Sequence, residues 1–394
     1  LRPLEGIKVL DLSRVLAGPF ATMILGDLGA EIIKIEIPGV GDDSRSFGPF
    51  IKNESAYFMS INRNKKSMTL NLKKQEGVNI LKKMVEKADV IVENFRPGTM
   101  EKLGIGYVVL KEINPRIIYA ACSGFGHTGP YSLRPAYDVI VQGMGGIMSI
   151  TGQPGGPPTR VGASIGDITA ALFTTIGILA ALNVREKTGK GQKVDVAMLD
   201  CQVAILENAI ARYFVTGKSP EPIGNRHPSI TPFSSFKTKD GFVIIAIGND
   251  SLWAKFCNVV GRPELIDDTR FRTNPDRTKN WNELEPILNE ILSEKNTDEW
   301  LEILEKAGIP CGPINNIERV VNDPQVKARE MLVELEHPVA GKIKVPGIPI
   351  KFSETPGQIE RPAPLLGQHT EEILKDMLGF SEQKIEDLRV NKVI

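Results

Sequence analysis

Cysteine and histidine are scarce in this chain, with four of each among 394 residues. Cys122, Cys201, Cys257 and Cys311 lie far apart and form no Cys-x-x-Cys pair. That argues against a disulfide framework or a structural zinc site, and it fits a reducing, cytoplasmic setting. His127, His227, His337 and His369 are equally dispersed, without the spacing of a metalloenzyme helix, so no metal is expected. Net charge is missing as well, because 48 Lys and Arg balance 48 Asp and Glu. Nucleic-acid binding needs a basic footprint and is not expected, although a local basic pocket for a phosphorylated cofactor is compatible with the balance. The longest strongly apolar stretch, Ala170 to Leu182, is interrupted by Thr174 and Thr175 and is short for a bilayer span. It reads as a buried helix, and no membrane partner is expected. The opening residues Leu1-Arg2-Pro3-Leu4-Glu5 carry no signal-peptide core, and the missing initiator Met suggests a trimmed or incomplete start.

What is present is the composition of a soluble globular protein, 41% hydrophobic and 24% charged, long enough for two or three domains. Compact β-type runs at 7–12, 31–36, 67–72, 89–94 and 116–121 are separated by helical stretches such as 20–28 and 75–88. Strands divided by such helices imply βαβ crossovers and a parallel sheet, an α/β fold. After Ala121, Gly- and Pro-rich segments at 123–130 and 151–160 bracket a helical segment at 137–149. An apolar helix then runs from Asp167 to about Val184, followed by a strand at 193–196 and a helix at 201–215. Residues 218–229, with Pro220, Pro222, Gly224 and Pro228, read as a linker. A smaller α+β domain follows at 230–320, with a hairpin turning at Asp240-Gly241 and helices at 252–260, 281–293 and 297–307. The tail returns to β patterns at 342–345 and 350–352 and ends in a helix at 369–378.

In the first βαβ unit Glu36 ends the second strand, where a dinucleotide fold carries its ribose-binding acid. The loop between, Val15-Leu16-Ala17-Gly18-Pro19, reads as a turn and lacks the closely spaced glycines that seat a pyrophosphate, which argues against a nicotinamide cofactor. Asp167 follows Gly166 immediately before the apolar helix, and an N-cap role explains it by itself. The same position suits catalysis. A helix N-terminus favours the carboxylate anion, the anion is the nucleophilic form, and Gly166 leaves room for a substrate. Arg45, Arg63, Arg134 and Arg226 fall in loops and have the fork geometry to grip carboxylates or phosphates, a solvated surface role being the plainer alternative for each. His227, before Pro228, reads as a residue that fixes a loop.

The runs at 11–19 and 29–36 are followed in order by Asn62-Arg63-Asn64-Lys65-Lys66-Ser67 and Val92-Glu93-Asn94-Phe95-Arg96-Pro97-Gly98. Gly124-Phe125-Gly126, Pro135-Ala136-Tyr137-Asp138 and Ile165-Gly166-Asp167 continue the series. Together, along nearly the whole chain, they resemble the class III CoA-transferases, the formyl-CoA transferase and carnitine CoA-transferase family. The resemblance implies a large Rossmann-like domain binding coenzyme A (residues 1–220 and 325–394), a smaller domain, and a homodimer threaded as interlocked rings. It puts the family's nucleophile on Asp167 and CoA contacts on Leu16, Ala17, Lys73, Asn94, Phe95, Arg96, Lys102, Ala136 and Tyr137. The implied chemistry moves CoA from an acyl-CoA to a carboxylic acid through an aspartyl anhydride and an aspartyl-CoA thioester.

Two departures stand out: Leu16 replaces a glutamine of formyl-CoA transferases, and Ile37 replaces an arginine. The glycine-run lid of the oxalate enzymes is replaced by Asn225-Arg226-His227-Pro228-Ser229-Ile230. With the segments at 236–241, 312–316 and 364–369, it looks closer to the family's succinyl-CoA- and glutarate-using branch. Succinyl-CoA is therefore the expected donor and a dicarboxylic acid the expected acceptor, with Arg45, Arg226 and His227 as substrate residues. The α-methylacyl-CoA racemases of the same superfamily need a His/Asp pair. Here Tyr137 stands at the histidine position, and a phenol of pKa ~10 is a poor base at neutral pH. A CoA-binding accessory protein is the other alternative, and retention of Asp167 speaks against it.

Overall fold

A computed structural model describes all residues, Leu1–Ile394. The alternating strands and helices build a six-stranded parallel sheet. In chain order its strands are β1 (Lys8–Asp11), β2 (Glu31–Glu36), β3 (Lys65–Thr69), β4 (Val90–Glu93), β5 (Ile118–Ser123) and β6 (Lys193–Ala197). In space they run β3-β2-β1-β4-β5-β6, the doubly wound order whose direction of winding reverses between β1 and β4.

Parallel strands are covered on both faces, so adjacent residues are apolar in both directions. Val9, Ile32, Val90 and Ile118 pack on one side with Leu25 of helix Ala17–Asp27 and with Ile178 and Ala181 of helix Ile165–Thr188. Leu10, Ile33, Ile91 and Tyr119 pack on the other with Val78, Leu81 and Met84 of helix Gln75–Val85 and with Ile373 and Leu374 of helix Thr370–Leu378. The C-terminal segment also covers the exposed edge of β3. His369 N–H donates to the Ser67 carbonyl at 2.9 Å, and Thr69 N–H donates to Thr370 Oγ1 at 3.0 Å.

Several local expectations need correction. Ala17, Gly18 and Pro19 form the first turn of a helix rather than a loop, where proline's missing N–H would have had no helical partner anyway. The helix expected at 201–215 is two, Met198–Ala204 and Asn208–Thr216, separated by Glu207 at φ 52°. Residues 350–352 form no strand; the tail hairpin pairs Leu332–His337 with Gly341–Pro346. The apolar helix Ile165–Thr188 is longer than the sequence suggested. By length and composition it could cross a membrane, yet half of its most apolar window is buried inside the fold.

The chain divides into two compact units: Leu1–Ile147, Arg160–Ala211 and Pro324–Ile394 form one, and Met148–Thr159 with Arg212–Asp323 form the other. Residues 148–159 thus group with the second unit, as do 212–229, which the sequence reading divided between large domain and linker. The physical link is non-local, since Gly224 N–H donates to the Gly152 carbonyl at 2.9 Å. The second unit has its own antiparallel sheet of Phe233–Lys237, Phe242–Ala246 and Cys311–Pro313. Phe236, Trp253, Phe256, Leu288 and Trp300 fill its core.

Candidate active site

The loops after β1, β4 and β5 meet at the sheet's reversal point and enclose a cavity of about 280 Å³. Arg14, Val15 and Leu16 come from the first loop and Ala17 from the start of the helix it leads into, Asn94 to Pro97 from the second loop, and Cys122 and Ser123 from the end of β5 with Gly124 just beyond it. Asp43, Arg134, Pro135, Ala136, Tyr137, Met198 and Asp167 complete the wall.

Buried charge pins the first loop. Lys34 Nζ donates to the Ser13 carbonyl and pairs with Asp42, both at 2.8 Å, and Asp42 Oδ1 accepts Val15 N–H at 3.0 Å. Burial opposes an ionised Asp42, but Lys34 and the N–H donors hold its carboxyl well below the usual range. Val15 is kept at φ 67°, an uncommon conformation for a β-branched residue. Such strain persists only where surrounding contacts over-determine it. Asn94 closes the arrangement, donating from Nδ2 to the Arg14 carbonyl at 2.7 Å and accepting Arg14 N–H at Oδ1 at 2.9 Å.

Asp167 lies in the first turn of helix Ile165–Thr188, with Ser164 at the N-cap position, so it is not itself the cap. Its carboxylate lines the cavity and has no hydrogen-bond donor from the protein. Gly166 does not leave room for a substrate, contrary to the sequence reading. A Cβ there would come within 2.7 Å of Val141 Cγ2 and 3.0 Å of Asp138 Oδ1. Its bareness instead lets helix Asp138–Met144 pack close. Gly166 N–H donates to Asp138 Oδ1 at 2.8 Å, and Gln142 Nε2 donates to Asp138 Oδ2 at 2.7 Å. Asp138 thereby anchors the turn that carries Asp167. Burial, and then the Asp138 charge, push the Asp167 carboxyl up to about 7, against the preference of a helix N-terminus for the anion.

A second cavity of about 440 Å³ shares Arg14 and Phe95 with the first. Ile37, Leu70, Leu72 and Leu103 make its wall largely apolar, and Lys73 also lines it. Of the residues singled out in the sequence, Leu16, Ala17, Asn94, Phe95, Arg96, Ala136 and Tyr137 share the first cavity with Asp167. Lys73 belongs to the second, and Lys102, at the exposed end of helix Thr99–Lys102, lines neither.

The expected substrate residues fare differently. Arg45 is already occupied: Nε and Nη2 each donate to Glu36 at 2.7 Å, Nη2 also reaches the Pro364 carbonyl at 3.1 Å, and the guanidinium lies 3.7 Å from the Phe58 ring centre. It is a structural arginine, as is Arg63, which is bound to Asp27. His227 Nδ1 accepts the N–H groups of Ser229 and Ile230 at 3.1 and 3.0 Å, which makes it a loop pin rather than a substrate group. Arg226, in the second unit, lies over Trp281 at 5.3 Å. It has no acidic partner within ion-pair distance, and its buried Nε has no acceptor.

Arg14, Cys122, Ser123 and Met198 were not singled out from the sequence. The rule that ligands bind at the carboxyl ends of the strands was the available signal for all four, Met198 following β6 directly. β5 ends at Ser123, two residues later than its pattern suggested, which hid Cys122 and Ser123.

The sequence model of CoA-transferase family III matches residues 4–370. The chain is 46% identical over 389 residues to succinyl-CoA:glutarate CoA-transferase of Homo sapiens, covering 98% of this chain and 89% of that one. It is 47% identical over 376 residues to acetyl-CoA:oxalate CoA-transferase of Acetobacter aceti, with 95% of each chain covered. Its fold matches the crystal structure of a CAIB/BAIF family protein from Brucella suis with a TM-score of 0.86 at 41% identity, covering 95% of this chain and 99% of that one.

Proposed function

The chain belongs to CoA-transferase family III and is a CoA-transferase, and from that premise we propose that Asp167 carries CoA from succinyl-CoA to a dicarboxylic acid. The observation that supports this most is the Asp167 carboxylate itself, free of protein donors on the wall of a cavity at the sheet's reversal point. An ionised Asp167 attacks the thioester carbon. Collapse of the tetrahedral oxyanion breaks the C–S bond and leaves a mixed anhydride with CoA thiolate. The thiolate attacks the aspartyl carbon, releasing the donor acid and forming an aspartyl-CoA thioester. The acceptor carboxylate then attacks that thioester, CoA thiolate leaves, and its return to the acceptor's acyl carbon regenerates Asp167. Each oxyanion needs N–H donors already in place. Leu16 offers no capping side chain to helix Ala17–Asp27, which leaves that helix's first N–H groups for this role.

The apolar second cavity suits the adenosine end of CoA, and Arg14 and Phe95, common to both cavities, suit the stretch between. The dicarboxylate reading draws support from relatives of nearly equal identity that are named for glutarate and for oxalate, both dicarboxylic acids. A panel of acids offered with succinyl-CoA, scored for new acyl-CoA by mass, tests it. Glutarate-like acids are expected to accept CoA, and transfer to monocarboxylates alone would sink the proposal.

Arg226 is the group we assign to the acceptor's free carboxylate, because its guanidinium has no carboxylate partner and a charge shielded from water must be paired. Arg226→Ala is expected to weaken dicarboxylate transfer by about 2–4 kcal/mol, some tens to several hundred-fold in kcat/KM, while monocarboxylate transfer changes much less. Equal losses for glutarate and butyrate would remove the assignment.

A homodimer completes the reading. Leu172, Phe173 and Ile176 on helix Ile165–Thr188 and Phe214 and Val215 on helix Asn208–Thr216 are exposed, and apolar surface of this kind is normally covered. If two chains interlock as rings, sedimentation at nanomolar protein returns the dimer, since separation requires partial unfolding. Folded, active monomers there would contradict it.

A further inference from the structure

Behind the cavity wall lies a connected set of polar side chains that the transfer chemistry leaves unused. Glu93, the last residue of β4, is 2% exposed. Its Oε2 accepts Phe95 N–H at 2.8 Å, and its Oε1 accepts the Tyr119 hydroxyl at 3.1 Å. His127 Nε2 lies 3.6 Å from the same Oε1 and has no other partner, though it is buried. On the far side of the imidazole, Lys193 Nζ sits 2.9 Å from Nδ1. An ammonium only donates, so Nδ1 accepts and Nε2 carries the hydrogen that faces Glu93. The Asp195 carboxylate takes His127 N–H at 3.1 Å and fixes the loop from which the ring projects. Three neighbouring strands thus each contribute one group: Glu93 from β4, Tyr119 from β5 and Lys193 from β6.

A carboxyl in this place is expensive. Burial raises its pKa to about 7, and among nearby charges Glu101 adds to the rise while Lys193 opposes it. What the carboxyl does is turn the chain. The Phe95 N–H bond folds the backbone directly after β4, and from that turn Asn94 clasps both main-chain groups of Arg14. Arg14 and Phe95 are the two residues that line both cavities.

We propose that Glu93 is a positioning residue for acyl-CoA binding: it touches no ligand, but through Phe95 and Asn94 it holds the wall common to both cavities, and Tyr119, His127 and Lys193 hold its carboxylate in register. The proposal rests on CoA binding at these cavities, as argued above.

Calorimetric titration of CoA and steady-state kinetics on the full chain test it. Glu93→Ala is expected to raise both the Kd for CoA and the KM for acyl-CoA about tenfold or more, with kcat within about threefold of wild type. Glu93→Gln retains an amide oxygen for Phe95 N–H and should return Kd to within about threefold of wild type. Tyr119→Phe keeps the ring and removes one donor, and should raise Kd by about two- to fivefold. An unchanged KM with a fallen kcat, or a Gln variant as weak as the Ala variant, overturns the proposal. If Glu93→Ala does not fold, Tyr119→Phe decides, and wild-type affinity there overturns it. Failure of the wild type itself to bind CoA would instead sink the reading of the cavities and this inference with it.

Discussion

Replacing Asp167 with Ala or Asn lowers kcat by at least about a thousandfold, because neither side chain can form the anhydride. Hydroxylamine added during turnover marks Asp167 in the wild type and nothing in either variant. Transfer by the Ala variant at the wild-type rate would remove Asp167 from the chemistry. The raised pKa adds a second expectation. Only the anion attacks, so single-turnover acylation by wild type increases as the pH rises through about 7 and levels off above it. Stability moves the other way. Between the ordinary carboxyl value of 3.8 and the folded value of about 7, the folded chain binds more proton than the unfolded chain. The destabilisation is therefore absent below that window and complete above it. Asp167→Asn escapes it and should be more stable than wild type by about 2–4 kcal/mol at pH 8, with the advantage shrinking towards pH 4. Equal denaturation midpoints at both pH values would show that Asp167 titrates normally.

Arg45→Ala destabilises the protein rather than changing its choice of acid. The Glu36 side chain is 1% exposed and takes two hydrogen bonds of 2.7 Å from Arg45. Ser67 Oγ at 2.6 Å and Asp42 N–H at 3.0 Å would remain as donors. Leaving such a carboxylate partly unpaired should cost about 2–4 kcal/mol in a denaturant titration at pH 7. Burial works against the ionised Glu36, and the Arg45 hydrogen bonds lead the interactions that hold its pKa below 4.5. That stabilisation is present above 4.5 and is lost as the pH falls through the folded pKa, so wild type and variant converge in acid. A variant of unchanged stability with a selective loss of dicarboxylate transfer would return Arg45 to the substrate site.

The parallel sheet was legible because its signal is local. Apolar runs bounded by turns mark β2 at the residues where it forms, 31–36, and most other strands to within two or three residues. The two faces of that sheet follow from period-two alternation, as with Val9 and Leu10 or Ile32 and Ile33. Asp167 could be singled out from the residues around it, and the order of short segments identified the family. None of this required knowing which strand lies beside which.

The character of the side chains did require it. In the sequence Arg45 and Arg226 are equivalent loop arginines. One is saturated because the 41–45 turn returns it onto Glu36 and Phe58, and the other lies unpaired on Trp281. Asp167 looked like a cap with space beside it until Val141 and Asp138, whose bond to Gly166 spans 28 residues, filled that space, and burial, followed by the Asp138 charge, raised its pKa. Residues 148–159 carry no periodic pattern, and their grouping with 212–323 depends on contacts distant in the chain, among them the Gly224–Gly152 backbone bond. Secondary structure is determined by neighbours within a turn or two of chain. Whether a charge is free, paired or pushed off its usual pKa depends on what burial brings against it, and the order of the strands decides that.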